Sequence, residues 1–269
     1  MSVAGVGVGV GTSKNAAVVG HVVPQGLRDT KPNSVTWSLR ANVSYRNAEP
    51  MSGPSPSSSI PNSWRDRLST GLGQLQLALD TTVQQRLLEY IALLLQWNAA
   101  FNLTAVREPL AMIDRHLIDS LAVLPFVPGP DLADIGTGPG IPGLVLALAR
   151  PFERVWLVDS NGKKARFMRE CLRQLAPPGV SVHEQRAQAL PAGADFSQVI
   201  SRAYTELADF IASTRQIVAA DGRWLAMKGK RPDAELARLP ADIVIEAIHR
   251  LDVPGADGER HLVVMSSSG

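Results

Sequence analysis

Three closely spaced glycines follow a short apolar run in this sequence. Gly136, Gly138 and Gly140 stand between residues 132–135 and a second apolar run that begins at Pro142. Glycine lets the backbone turn sharply and approach a ligand where any β-carbon would collide. A helix that begins directly behind such a loop presents unpaired N–H groups to that ligand. The spacing therefore predicts a cofactor-binding loop between a strand and a helix.

Two carboxylates are placed to act with this loop. Asp159 ends the next predicted strand, 23 residues after Gly136, where an acidic residue of an α/β fold accepts hydrogen bonds from a ribose. Asp134 lies two residues before Gly136, and its carboxylate could meet an ammonium group or an ordered water. Both nicotinamide and adenosyl cofactors carry a ribose, so Asp159 alone does not choose between them.

The loop leaves two cofactor classes open. Gly138, Gly140 and Gly143 satisfy the G-x-G-x-x-G pattern of dinucleotide-binding folds, so an NAD(P)-dependent oxidoreductase stays an alternative. The position of Asp134 favours S-adenosylmethionine. So does the Pro-Gly-Ile-Pro segment at 139–142, because it interrupts the straight entry into a helix that a pyrophosphate needs.

Length, charge and cysteine content narrow the class of protein. The 269 residues can bury one sizeable core and a small accessory element. Residues 1–60 carry a net charge of +3, whereas the remaining 22 basic and 23 acidic side chains leave the body at −1, so a nucleic-acid surface must be a local patch. Cys171 is the only cysteine, which excludes an internal disulfide and cysteine-rich zinc sites and favours a reducing compartment, the cytoplasm. No apolar run reaches the 18 residues of a membrane span, and we expect neither a membrane nor a metal partner.

Periodicity predicts the elements that hold the loop. Apolar residues at helical spacing predict one helix within 80–98, capped by Asp80 or Thr81, and another within 108–124, with Pro109 in its first turn. Strand and helix then alternate along the chain. We place strands at 132–135, 155–158, 180–183, 198–201 and 224–227, and helices at 142–148, 163–175, 205–219 and 232–239. Two final strands, within 243–251 and 261–265, are joined by a loop with Pro and Gly and form an antiparallel pair.

This order predicts an open, mostly parallel α/β sheet with an antiparallel edge, preceded by two or more N-terminal helices. Low-complexity Ser/Pro composition predicts that residues 1–60 form a disordered tail. We assign residues 61–128 to the helical element and residues 129–269 to the domain that contains the sheet.

Basic residues cluster at two places beside the predicted loop. Lys163, Lys164 and Arg166 begin the helix after Asp159, and Lys228 and Lys230 follow the fifth strand, at the sheet edge where α/β ligands bind. We interpret both clusters as RNA-binding. His116 and Asp119, three residues apart on one predicted helix face, are interpreted as a structural contact.

Six blocks of the sequence resemble one known family in the same order. They are "QWNAAFNLTAVREPLAMIDRHLIDSLAV", "DIGTGPGIPG", "LVDSNGKKARFMRE", "VISRAYTEL", "WLAMKG" and "DGERHLVVM". They are similar to the ribosomal RNA small-subunit methyltransferase G family, also called glucose-inhibited division protein B, from about residue 80 to the end. The resemblance implies a bacterial cytoplasmic enzyme with the Rossmann-like class I methyltransferase fold. It implies methyl transfer from S-adenosylmethionine to N7 of one guanine in 16S rRNA, with free 16S rRNA or the 30S subunit as partner, and we expect a monomer.

The resemblance also implies which residues bind the cofactor. The matching positions are Gly136, Ile141, the pair Ala187 and Gln188, and Arg202. Together with Asp134, Gly138, Gly140 and Asp159, in and beside the glycine loop, they make up the predicted cofactor site. Many family members have an acidic residue where this chain has Gln188, which keeps hydrogen bonding but not charge, and Tyr204 stands where Phe is commoner.

The chemistry of guanine N7 agrees with the absence of an obvious catalytic dyad. N7 has an exposed lone pair and no proton, so its attack on a sulfonium methyl group needs positioning rather than a general base. Methylation of a ribose 2′-oxygen would need a base, and Lys228 is the candidate for that alternative. A small-molecule methyltransferase remains a further alternative.

Overall fold

The computed structural model describes residues 60–268, so the tail predicted for residues 1–60 lies, apart from Ile60, outside the described residues. A helical element comes first, with α1 at Asn62–Gln74 and α2 at Thr81–Phe101. It continues through a short helix α3 at Pro109–Met112, a π-helical segment at Ile113–Ile118 and a final turn α4 at Asp119–Leu121. The periodicity located α2 and the helix that starts at Pro109, but not α1.

Seven strands form one sheet, which confirms the predicted fold class. The strands are β1 (Asp131–Ile135), β2 (Arg154–Val158), β3 (Val180–His183), β4 (Phe196–Arg202), β5 (Val218–Lys228), β6 (Ile243–Arg250) and β7 (His261–Ser267). Their order is β3-β2-β1-β4-β5-β7-β6, with β7 antiparallel to both of its neighbours and the other pairs parallel. The carboxyl ends of β1, β2, β3 and β4 therefore share one edge.

The helices between the strands are α5 (Gly143–Ala149), α6 (Gly162–Leu175), α7 (Leu207–Thr214) and α8 (Asp233–Leu236). The prediction of one helix through 205–219 was wrong at its end. Helix α7 stops at Thr214, a 3₁₀ turn spans Arg215–Ile217, and β5 begins at Val218, which pairs with Phe196 of β4. The predicted helix at 232–239 is only the short α8.

Two cores cover the two faces of the sheet. The larger one packs α1, α2, α5 and α6 on one face, and the smaller one packs α7 on the other. Helix α2 also fixes the glycine loop, because the buried Tyr90 hydroxyl donates a hydrogen bond to the Pro139 carbonyl, 3.1 Å away. Asp80 caps α2 by accepting from the Val83 N–H at 2.8 Å. Within residues 60–268, no helix is long and apolar enough to cross a bilayer.

Candidate active site

A cleft of about 370 Å³ lies at the carboxyl ends of β1, β2, β3 and β4. Ligands of open α/β sheets bind at this edge. Four of the nine predicted cofactor residues line the cleft: Gly136, Asp159, Ala187 and Gln188. Tyr204 lines it as well. The topology thus brings Gly136 and Tyr204 together, although they are 68 positions apart in the sequence.

The glycine loop needs its first glycine for two reasons. Gly136 has a φ of +67°, and a β-carbon built on it would lie 2.5 Å from Cδ2 of Tyr204. Its N–H donates to the Val158 carbonyl at 2.9 Å, so the loop is attached to the end of β2. Any side chain at this position would both strain the backbone and displace the Tyr204 ring.

Asp159 ties the loop to the neighbouring strand. Its Oδ2 accepts a hydrogen bond from the Gly138 N–H at 2.9 Å, and its Oδ1 accepts one from the Asn161 N–H at 2.8 Å. The Lys164 ammonium lies 3.8 Å from Oδ2. Asp159 also faces the cleft, so its remaining acceptor capacity suits the ribose predicted there.

Asp134 is completely buried behind the loop and does not line the cleft. Its Oδ2 accepts from the Thr137 hydroxyl and from the Gly143 N–H, whereas Oδ1 has no hydrogen-bond partner among the described residues. Burial raises the pKa of Asp134 to about 7, although its two hydrogen bonds and Arg202 oppose the rise. An unpaired buried carboxylate oxygen beside the loop fits the ammonium or water contact expected from the sequence.

We predict that Asp134 makes stability depend on pH in the protein without ligand. An aspartate in an unfolded chain has a pKa of about 3.9, so between about pH 4 and 7 the folded state holds a proton that the unfolded state has released. Stability therefore falls as the pH rises through this window. His116 acts in the opposite direction, because burial lowers its pKa to about 4.

Comparing the wild type with Asp134→Asn cancels the contribution of His116. From pH 5 to pH 8 the variant should gain on the order of 2 to 3 kcal/mol of unfolding free energy relative to the wild type. Urea unfolding across this pH range measures the difference. The exposed Asp221→Asn variant is the control, and a wild-type curve parallel to that of Asp134→Asn would contradict the raised pKa.

The other predicted cofactor residues are adjacent to the cleft but do not line it. Gly138, Gly140 and Ile141 are buried within the loop, where the N–H groups of Gly140 and Ile141 donate to the Thr137 carbonyl at 3.0 and 2.8 Å. Arg202 ends β4, directly before cleft residues 203 and 204. Its Nη1 donates to Asp119 Oδ2 at 2.8 Å and to the Arg115 carbonyl at 2.7 Å.

The predicted RNA-binding residues divide into two groups. Lys163, Arg166 and Lys230 are exposed and form no ion pair within residues 60–268, and Lys164 lines the cleft. Lys228 is different, because its ammonium contacts Glu235 Oε2 at 2.7 Å and the Thr205 carbonyl at 2.9 Å. These internal contacts use two of the three ammonium donors of Lys228, and its RNA-binding role stays a prediction.

Asp119 and His116, interpreted from the sequence as a structural contact on one helix face, have different partners in the structure. Asp119 binds Arg202 and Arg260, whereas His116 Nε2 lies 3.0 Å from the Thr104 hydroxyl. Arg260 lies 141 positions from Asp119. No local spacing rule signals a contact at that separation.

A sequence profile of the family described as rRNA small subunit methyltransferase G (GidB) matches residues 83–263. The chain belongs to this family. The matched segment begins within α2 and ends within β7. It therefore contains every residue that lines the cleft, and the resemblance inferred from the sequence blocks is confirmed.

Three relatives in this family carry the name ribosomal RNA small subunit methyltransferase G. The chain is 45% identical over 203 residues to the one from Marinobacter nauticus, which covers 76% of this chain and 95% of the relative. It is 50% identical over 188 residues to the one from Xanthomonas oryzae pv. oryzae, and this match covers 70% of this chain and 89% of the relative. It is 45% identical over 201 residues to the one from Pseudomonas aeruginosa, and this match covers 74% of this chain and 94% of the relative.

Proposed function

We propose that the protein transfers a methyl group from S-adenosyl-L-methionine to N7 of a specific guanine in 16S ribosomal RNA. The observation that carries this proposal is the match of residues 83–263 to the rRNA small subunit methyltransferase G family. The cleft supports it, because the glycine loop, Asp159 and the segment at 187–188 converge at the sheet edge. Free 16S rRNA and the 30S subunit are the proposed partners.

The residues around the cleft have mainly a positioning task. When bound, the cofactor supplies an electrophilic methyl group on a sulfonium, which passes to the N7 lone pair as the C–S bond breaks. No proton leaves N7 in this step, so the protein needs no general base. The glycine loop and Asp159 orient the donor, and the acceptor must be held in line within about 3 to 3.5 Å of the methyl carbon.

Two alternatives are less well supported. Ribose methylation would need a base, but the Lys228 ammonium is paired with Glu235. An oxidoreductase would bind a nicotinamide dinucleotide in the same cleft. Thermal stabilisation distinguishes these cofactors, because a ligand that binds the folded state raises the melting temperature. S-adenosylhomocysteine should stabilise the protein and NADH should not, and the reverse result would contradict the proposal.

We also predict that the N-terminal end of α6 binds RNA phosphates. Lys163→Ala/Arg166→Ala removes two exposed charges that pair with no acidic side chain among residues 60–268. The slope of log binding constant against log salt should become less negative by one to two units, since each lost phosphate contact removes roughly one unit. Fluorescence anisotropy with 16S rRNA across a salt series measures this slope.

The matched control for this pair is Arg215→Ala/Arg223→Ala. Both arginines are exposed but form surface ion pairs with Asp242 and Glu246, away from the cleft. This control should leave the salt slope unchanged. If the two double variants behaved alike, the RNA-binding assignment of α6 would be wrong.

A further inference from the structure

One buried carboxylate holds two arginines beside the cleft. Asp119 Oδ2 accepts from Arg202 Nη1, and Asp119 Oδ1 accepts from Arg260 Nε, both at 2.8 Å. The Asp119 side chain is 7% exposed, whereas those of Arg202 and Arg260 are 25% and 26% exposed. The three groups together carry a net charge of +1. We call them the two-arginine cluster.

The π-helical segment gives this cluster a second anchor. The Asp119 N–H donates to the Asp114 carbonyl, five residues back, instead of the Arg115 carbonyl, which would be its partner in an α-helix. The Arg115 carbonyl accepts Arg202 Nη1 at 2.7 Å. The backbone and the carboxylate therefore fix the same guanidinium nitrogen.

The sheet register places the cluster next to the cleft. Ile135 of β1 pairs with Ser201 of β4, so Arg202 lies level with Gly136. Arg260 directly precedes β7, whose first residue, His261, pairs with the last residue of β5. Strands β4 and β7 are two positions apart in the sheet, which separates them by about 10 Å. The cluster thus extends from the cleft across the end of β5.

Each guanidinium keeps unused donors. Arg202 is held through Nη1 alone, and Arg260 through Nε and Nη1, the latter donating to the Glu259 carbonyl at 2.9 Å. Within residues 60–268, neither Nη2 forms a hydrogen bond. Partly exposed guanidinium groups with free N–H pairs are suited to phosphate oxygens, which they bind in a bidentate way.

Guanine offers the other common arginine acceptor, its O6/N7 edge. That mode is excluded for the target base, because a hydrogen bond to N7 would occupy the lone pair that must accept the methyl group. We propose that Arg260, together with Arg202, binds a backbone phosphate of the RNA next to the target guanine, and that Asp119 is the positioning residue that holds both arginines. This inference rests on the proposed function, since it assumes an RNA substrate.

The first test compares Arg260→Ala with Arg223→Ala, which also removes one ion-paired arginine but lies on the part of β5 away from the cleft. Arg260→Ala should raise the Kd and KM for 16S rRNA about tenfold, since roughly one charged phosphate contact is lost, and reduce the salt slope by about one unit. Its kcat and its Kd for S-adenosylhomocysteine should stay within about twofold of wild type. Arg260→Lys should restore the wild-type salt slope but should lower the raised KM only part of the way to the wild-type value. A lysine keeps the charge but lacks the planar pair of donors.

The second test asks whether removing the negative charge of Asp119 strengthens or weakens RNA binding. Asp119→Asn removes a negative charge from the two-arginine cluster, which is proposed to contact RNA. By electrostatics alone, this loss of charge would tighten RNA binding. If Asp119 acts by positioning, the variant should instead bind 16S rRNA more weakly, with both a lower kcat and a higher KM. Tighter binding by Asp119→Asn would overturn the positioning role.

The outcomes separate this inference from the proposed function. A wild-type protein that does not methylate 16S rRNA would overturn the proposed function. Wild-type methylation combined with an Arg260→Ala variant that matches Arg223→Ala would overturn only the phosphate site. A loss of S-adenosylhomocysteine binding in Arg260→Ala would also overturn it, because Arg260 would then serve the cofactor.

Discussion

Replacing Gly136 by valine should abolish measurable binding of S-adenosylmethionine while the protein remains folded. The φ of +67° at Gly136 disfavours a β-branched residue, and the new β-carbon would collide with the Tyr204 ring, 2.5 Å from Cδ2. Forcing this backbone conformation on valine should lower the unfolding free energy by about 1 to 3 kcal/mol. The displaced ring and the shifted loop would deform the cleft, since both residues line it.

Gly193→Val is the matched control for this prediction. Gly193 has a φ of +75°, but a β-carbon there would meet nothing within 4 Å, and the residue does not line the cleft. The control should lose a similar amount of stability and keep its affinity for the cofactor. Titration calorimetry measures both affinities, and wild-type affinity in Gly136→Val would refute the assignment of the loop.

Replacing Arg202 by alanine should reduce kcat about 100-fold even at saturating RNA, the size of effect expected when reacting groups are misplaced by about 1 Å. Arg202 ends the strand that leads into cleft residues 203 and 204, and it links that strand to Asp119 and to the Arg115 carbonyl. Without these contacts, the end of β4 beside the methyl donor would no longer be held in place. The loss of Arg202 also leaves Asp119 with Arg260 as its one ion-pair partner among residues 60–268.

Single-turnover methyl transfer with saturating 16S rRNA measures this effect without contributions from product release. Arg202→Lys should retain intermediate activity, because lysine keeps the positive charge but lacks the planar set of donors that the guanidinium presents. Arg238→Ala, at an exposed ion pair with Glu206, controls for loss of a surface charge. An unchanged kcat in Arg202→Ala, with only KM raised, would show that Arg202 contributes to RNA binding alone and does not position the reacting groups at the cleft.

The sequence predicted the sheet well because buried parallel strands are short, nearly continuous apolar runs. The predicted strands at 132–135 and 155–158 differ from β1 and β2 by one residue each, and 180–183 matches β3. The helix predicted through 205–219 failed where Val218 pairs with Phe196, since strand pairing overrides a local preference for helix.

The sequence did not predict helix α1, because the glycines within it make sense only through a contact with a distant part of the chain. Its sequence contains Gly71 and Gly73, which weaken a helix in isolation. Gly71 is buried, and a β-carbon there would lie 2.5 Å from Cδ1 of Ile118. The glycine therefore permits close packing between α1 and the π-helical segment, a reason that only the folded structure supplies.

For the candidate site, the sequence found the loop and Asp159 but not the network around Arg202. The glycine loop and Asp159 can be predicted from the local spacing of strand, loop and helix, because this spacing recurs in α/β folds. The pairing of Asp119 with Arg202 and Arg260 joins residues 83 and 141 positions apart. It also depends on a π-helical turn, which the apolar periodicity of residues 108–124 does not reveal.

The most direct test of the proposed function is to locate the transferred methyl group. The purified protein is incubated with tritiated S-adenosylmethionine and either free 16S rRNA or 30S subunits. The labelled RNA is then treated with borohydride and aniline, which cleave the chain at N7-methylguanine. We predict that the label is in 16S rRNA and that cleavage occurs at a single guanine. Label on a ribose oxygen, or transfer to a small metabolite with none to RNA, would contradict the assignment as a guanine-N7 rRNA methyltransferase.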